Sequence, residues 1–288
     1  MKKYLDKIIK PSINLIKNVI PGRRSIGEWL GTVSDCILPW REIYPDIVMV
    51  MTTRCSLKCK NCNNLMPHYV NPYNIDLDVL KKDIDRLSDR LDRVVKFSLI
   101  GGEPFVYPHF KEILKYALTK KNFMYISITT NATIIPDEEM IKIIKNPRVF
   151  VEISDYGVKT QKVDQLIELC KRENIKYIPD KVNSWVSPGG TEYRGKNVDQ
   201  LRREYSRCYS SRYCKAILNG KIFLCARGAH LYDLGYMKSE HDCFDTRANL
   251  DRKDFRNKFR NFMLSDYADA CNYCDHALGI KVTPGEQL

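Results

Sequence analysis

The sequence predicts an α/β fold, a partial (βα)6 barrel followed by a small cysteine-bearing domain. Three observations carry this. Strand-like and helix-like patterns alternate from about residue 45 to 180, Cys- and Gly-rich motifs fall where strands end, and after about residue 180 the rhythm stops. Alternation of this kind implies parallel strands with helices packed outside them.

Residues 46–53 (DIVMVMTT) form an apolar, β-rich run. Over 75–91 the apolar residues Leu77, Val79, Leu80, Ile84, Leu87 and Leu91 recur at helical spacing. Strands follow at 94–100, 124–130, 149–154 and, briefly, 176–178. Helices lie between them at 110–119, at 137–145 with Pro136 near the start, and at 163–174. Five βα units fit a six-stranded partial barrel better than an eight-stranded one, and chemistry in such folds collects at the C-terminal ends of the strands. Residues 184–194 (SWVSPGGTEYR) read as a loop and 198–205 as a helix. Residues 215–225 read as a hairpin turning at Asn219–Gly220, and 254–264 as a last helix. The expected division is an N-terminal extension (1–44), a barrel core (45–197) and a C-terminal domain (198–288).

The first residues, MKKYLDKIIKPSINLIKNVI, begin like a signal peptide, but Asp6, Lys7, Lys10 and Lys17 interrupt the apolar stretch and no small-residue cleavage site follows. They read as a basic amphipathic helix broken near Pro11, packed on the barrel exterior or touching a membrane surface or partner. No run of about 18 apolar residues predicts a transmembrane helix. The net charge of +12 permits nucleic acid or an anionic substrate, yet Lys and Arg are spread along the chain. A solvated basic surface is the expectation, not a nucleic-acid partner.

Eleven cysteines cluster in a way that argues against a disulfide framework. Cys55, Cys59 and Cys62 (CSLKCKNC) follow the first strand directly. Three thiolates on one loop can hold three irons of a 4Fe-4S cluster and leave the fourth open to a reactant. The alternative is a zinc knuckle with His68 as fourth ligand. An iron–sulfur cluster would require a reducing compartment, hence cytoplasm.

CxxxCxxC after the first barrel strand resembles the radical S-adenosylmethionine (SAM) superfamily. The second strand adds FSLIGGEPF, with Gly101, Gly102, Glu103 and Pro104. The resemblance covers roughly residues 46–180 and implies that this GGEP motif binds the SAM amino group. Glycines would permit close backbone approach and a carboxylate suits an ammonium. It also places Thr130, Asn131, Glu152 and Ser154 near SAM, with Asp155 and Tyr156 as second candidates. One departure is Asn61, where the family usually has an aromatic near the adenine; Tyr69, Phe105 or the backbone at Leu65–Met66 could substitute.

A second set holds Cys208, Cys214, Cys225, Cys271 and Cys274. Its C-x11-G-x4-C spacing and distant CxxC resemble the auxiliary-cluster twitch domain, a shortened SPASM domain. That likeness implies one auxiliary 4Fe-4S cluster on Cys208, Cys225, Cys271 and Cys274, although Cys214 could replace one of them or a structural zinc could replace the cluster. A spare Cys214 would be a buried structural thiol or a catalytic hydrogen-atom donor. Cys170 reads as core; Cys36 and Cys243 carry no assigned role. His109 reads as a local cap or surface residue, His230 and His276 as neighbours of the second thiol set, and Trp185, Arg194 and Arg227 as pocket candidates.

The resemblance further implies an electron from flavodoxin or ferredoxin, reductive cleavage of SAM, and hydrogen abstraction by the 5′-deoxyadenosyl radical. The substrate radical would then be oxidised by the auxiliary cluster or quenched by a thiol, giving an oxidoreductase or an epimerase. A small hydroxylated, sugar-like substrate is the favoured expectation. Modification of a ribosomally made peptide is the first alternative, a nucleotide or tRNA base a lesser one, and an iron–sulfur electron-transfer protein the alternative of another class.

Overall fold

The computed structural model describes residues 42–208, 210 and 214–288. The amphipathic segment and Cys36 lie outside them. Strands β1 (Ile43–Val50), β2 (Arg93–Ile100), β3 (Phe123–Thr130), β4 (Val149–Asp155) and β5 (Tyr177–Lys181) alternate with helices α1 (Leu77–Arg90), α2 (Phe110–Leu118), α3 (Glu138–Ile144) and α4 (Val163–Arg172). Each strand pairs in parallel with the next in sequence. The α/β fold and the βα alternation are therefore as expected, with boundaries moved by a few residues.

Local chemistry explains the elements. Asp76 caps α1 by accepting from the amides of Asp78 and Val79, and Asp137 caps α3 through Met140. Leu80, Ile84 and Leu87 of α1, Ile113, Leu114 and Ala117 of α2, and Leu166, Leu169 and Cys170 of α4 are buried. Cys170 is thus core, as expected. Side chains alternate across the central strands: Phe97, Leu99, Ile126, Ile128, Val151 and Ile153 join the helices in the core, whereas Asp46, Lys96, Ser98, Ser127 and Glu152 share the other face.

The sheet stays open, without barrel closure. Its order is β5-β4-β3-β2-β1-β7-β8-β9, where β7 (Ala216–Leu218) pairs in parallel with β1, and β8 (Lys221–Phe223) and β9 (Cys243–Asp245) run antiparallel. The sixth parallel strand thus comes from the C-terminal part of the chain, on the far side of β1. The hairpin turns where expected: Asn219 and Gly220 both have positive φ, 49° and 75°. Helix α5 (Val198–Arg207) has the Asn197/Gln200 capping box.

Helices α6 (Ala226–Asp233) and α7 (Arg252–Met263) complete the C-terminal part, where Phe244, Phe255 and Phe259 pack ring on ring. One continuous core runs from Leu166 to Phe259, so the expected barrel and C-terminal domains share a sheet and an interior. The stretch read as loop contains β6 (Trp185–Val186), which pairs with β10 (Lys281–Val282). No described helix is long and apolar enough to cross a membrane.

Candidate functional site

The loop after β1 carries the first thiol set. Thr52 anchors its start, donating to Asn74 Oδ1 at 2.7 Å and accepting from the Arg54 amide at 3.0 Å. Backbone bonds from Cys62 to Cys59 and from Leu65 to Cys62 wind it tightly, and Leu65 takes a left-handed φ of 56°. Cys55, Cys59 and Cys62 face a 370 Å³ cavity shared with Gly101, Gly102, Thr130, Asn131, Tyr156, Trp185 and His276. Burial pushes the Cys55 thiol up to about 12 and raises Cys59 and Cys62 as well. Iron binding would displace those protons. Neutral donors already point at the sulfurs: the Leu57 amide (3.4 Å) and Asn131 Nδ2 (3.7 Å) at Cys55, and Gln287 Nε2 (3.4 Å) at Cys59.

Both glycines of GGEP line the cavity, but the reason for glycine is packing against the cysteine loop. A Cβ on Gly101 would meet Thr52 Cγ2 at 2.5 Å, and one on Gly102 would meet the Arg54 carbonyl oxygen at 2.3 Å and Cys55 Cβ at 2.6 Å. Glu103 is fully buried behind the wall, where its carboxylate accepts from Thr130 Oγ1 (2.7 Å) and the amides of Asn131 (2.8 Å) and Phe105 (3.2 Å). Burial raises it to about 7. Its side chain ties the end of β3 to the turn after β2, and its backbone amide donates to the Arg54 carbonyl of the cysteine loop. Pro104, beside it, starts a buried 3-10 turn.

Thr130 and Asn131 are cavity residues, as expected, and Asn131 also bonds Ser56 Oγ at 3.1 Å. Ser154 is nearly buried and hydrogen-bonds the Tyr156 hydroxyl, so the tyrosine stands on the wall with the serine behind it. Glu152 is apart from the cavity wall. It pairs with Lys96 (3.3 Å), which pairs with Asp46 (2.9 Å), and Thr129 and Ser98 donate to the two carboxylates. This polar stack crosses β1, β2 and β4 inside the sheet. Burial raises Asp46 to about 6 and Cys214 to about 12, and the Cys214 thiol feels the charges of Asp46, Lys96 and Glu152.

Of the suggested adenine substitutes, Met66 lines the cavity; Tyr69 instead bonds His230 and Asp233, and Phe105 packs on Phe110. Tyr156 and Trp185, edge to face at 4.9 Å, supply the aromatic wall that Asn61 does not. His68 bonds Tyr236. Among the described residues no three His, Cys, Asp or Glu converge as ligands of a single ion. His109 is exposed, at the N-cap position of α2 without a side-chain cap bond. His230 is fully buried, lowered to about 3 by that burial, and touches Tyr69; His276 is on the cavity wall.

In the second set, Cys271 is raised by burial and then by the nearby thiols of Cys225, Cys274 and Cys208. Cys214 is not among those neighbours of Cys271; it faces the polar stack and also feels the Cys208 thiol. Three cations surround the four thiols. Arg227, from the first turn of α6, donates to the carbonyls of Gly189, Gly190 and Tyr273, and its buried Nη1 has no hydrogen-bond partner. Lys215 is buried against Tyr205 OH and the Leu224 carbonyl. Lys196 bonds the Cys271 and Cys274 carbonyls and pairs with Glu204. Neither Arg227 nor Lys215 forms an ion pair among the described residues; Asp275 and Asp242 act on them only from a distance. Buried cations need compensating negative charge, and a cluster held by four thiolates supplies it, so the donor set fits an anionic iron–sulfur group. Of the other pocket candidates, Trp185 lines the first cavity, whereas Arg194 is bound bidentately by Asp275.

The family model described as Radical SAM superfamily matches residues 49–192. The antilisterial bacteriocin subtilosin biosynthesis protein AlbA of Bacillus subtilis (strain 168) is 32% identical over 114 residues, 38% of this chain and 24% of AlbA. The Fe-coproporphyrin III synthase of Methanosarcina barkeri (strain Fusaro / DSM 804) is 34% identical over 116 residues, 40% of this chain and 28% of that protein. The matches thus span about a quarter of these relatives. The structure of anSMEcpe with bound AdoMet superposes with a TM-score of 0.52 at 14% identity, covering 85% of this chain and 93% of that one. BtrN in complex with AdoMet and 2-DOIA gives 0.50 at 15%, covering 86% and 98%. These two likenesses speak to fold.

Proposed function

The chain belongs to the radical SAM superfamily, whose cofactors are a 4Fe-4S cluster and SAM, and we propose that it oxidises a C–H bond of a small, polar, hydroxylated substrate. When bound, the cluster and SAM supply a 5′-deoxyadenosyl radical that removes the hydrogen atom. Cys55, Cys59 and Cys62 hold three irons, and the cavity beside them receives SAM. Gly101, Gly102, Thr130 and Asn131 line its methionyl end, and Tyr156 with Trp185 faces the adenine. Glu103 acts through Asn131 and Thr130.

The observation that carries the oxidation reading is the second thiol set. Four cysteines ringed by Lys196, Lys215 and Arg227 would hold one auxiliary cluster able to take the electron left on the substrate. Supporting the polar substrate are the polar side chains of the cavity, Asn61, Asn63 and Asn64 among them; the Asp46–Lys96–Glu152 stack lies apart from that wall, inside the sheet. Cys214, beside that stack, keeps epimerisation open as the fate of the same radical. A second reading, peptide modification, is favoured by the sequence likeness to AlbA, a bacteriocin biosynthesis protein. A flavodoxin or ferredoxin would deliver the reducing electron, in keeping with a cytoplasmic setting.

The test is anaerobic reconstitution followed by reduction with SAM present. The proposal expects about eight irons per chain and release of 5′-deoxyadenosine; an electron carrier would release none. Cys214→Ala then separates the fates. Retained product supports oxidation, whereas SAM cleavage without product assigns the thiol to hydrogen donation.

A further inference from the structure

We infer that Gln287 is a positioning residue for the Cys55–Cys62 loop, and that residues 285–288 form a strap across it. The inference rests on the cluster reading above but uses residues outside every motif. The strap lies antiparallel to the loop, with Cys59 opposite Gln287. The Lys60 amide donates to the Glu286 carbonyl at 2.8 Å, and the Leu288 amide to the Lys58 carbonyl at 2.9 Å. The Gln287 carboxamide uses both ends on the loop: Oε1 accepts the Lys58 amide at 2.8 Å, and Nε2 donates to Cys59 Sγ at 3.4 Å. Chemistry fixes this orientation, because only the oxygen can accept an amide N–H and only the NH2 end can donate to sulfur.

The strap is anchored at its start. Gly285 has φ 64°, and a Cβ there would meet Tyr156 Cβ and Val158 Cγ2 at 2.7 Å each. Just upstream, β10 pairs with β6, which carries Trp185 onto the cavity wall. One segment therefore closes both the aromatic wall and the thiol loop. A donor to a cluster-bound thiolate stabilises the more negative, reduced state and so raises the potential. Gln287 plays for Cys59 the part that Asn131 plays for Cys55.

The experiment compares full-length Gln287→Glu and Gln287→Ala with wild type after anaerobic reconstitution. Q287E keeps an oxygen for the Lys58 amide but sets negative charge where the donor stood. Redox titration followed by EPR should show a more negative midpoint in both variants, larger in Q287E. The expected drop is about tenfold in the reduced-to-oxidised ratio at fixed potential, ~59 mV for one electron. A chelator should strip iron from Q287A about tenfold faster. Wild-type potential and iron retention in both variants would overturn the inference. Should neither variant hold iron, the iron-free chain decides: the Lys58 amide, which donates to Gln287 Oε1, must exchange its hydrogen about tenfold faster in Q287A than in wild type, and equal rates reject the strap. That arm also separates the two ideas. A wild type with no SAM-responsive four-iron centre would defeat the functional reading, while Lys58 amide exchange would still test the strap.

Discussion

The two thiol sets sit at similar depth but in opposite electrostatic company. Around Cys55, Cys59 and Cys62 the contacts to sulfur are neutral N–H donors, with Arg227 acting on Cys62 only from a distance, and the thiols open onto a cavity. Around Cys208, Cys225, Cys271 and Cys274 stand three cations, two of them buried and without a direct ion pair among the described residues. The difference teaches what each set can do. Neutral donors steer a site without fixing its charge, which suits one that admits a charged reactant. Fixed cations demand a permanent anion, which suits a site whose content never leaves.

The comparison breaks most visibly by deleting one thiol from each set. Cys55→Ala should lose about four irons and all 5′-deoxyadenosine formation, whereas Cys271→Ala should lose about four and still cleave SAM; iron analysis and product release read both. Arg227→Met sharpens the contrast. It should cost the second set its irons, while Asn131→Ala, which removes only a neutral donor, leaves the total near about eight. Gly102→Ala, which drives a Cβ into the Arg54 carbonyl, should cost about 1–3 kcal/mol and weaken SAM binding, measured as a lower Tm and a smaller SAM-induced spectral change. Asn219→Ala, at the hairpin turn between the two regions, should cost about 1–2 kcal/mol in thermal unfolding and alter neither iron count.

The sequence disclosed most where physical periodicity is strong. The βα units were legible because burial writes a 3.6-residue or near-continuous apolar pattern into each element, and the hairpin was legible because Asn219–Gly220 is a turn pair. Helix α6 (ARGAHLYD) was missed because it is buried almost all round and shows no polar face. The β6–β10 pair was missed because two-residue strands have no period. In the site, the cysteines and glycines were readable from spacing. The inward turn of Glu103 was not, since it depends on the free Thr130 hydroxyl and Asn131 amide at the end of β3. Nor did any pattern mark Gln287, whose partners on the cysteine loop, Lys58 and Cys59, lie more than two hundred residues away in sequence.

The parallel pairing of β7 with β1 has a last consequence. Val48 and Met49 hold the base of the hairpin that leads to Cys225, and the same strand runs directly into Cys55. The strands that lead into Cys55 and, through the hairpin, into Cys225 are thus joined by backbone ladder. Electron tunnelling falls steeply with distance, and a shared sheet of this kind gives the loops that carry the two sulfur groups one common base.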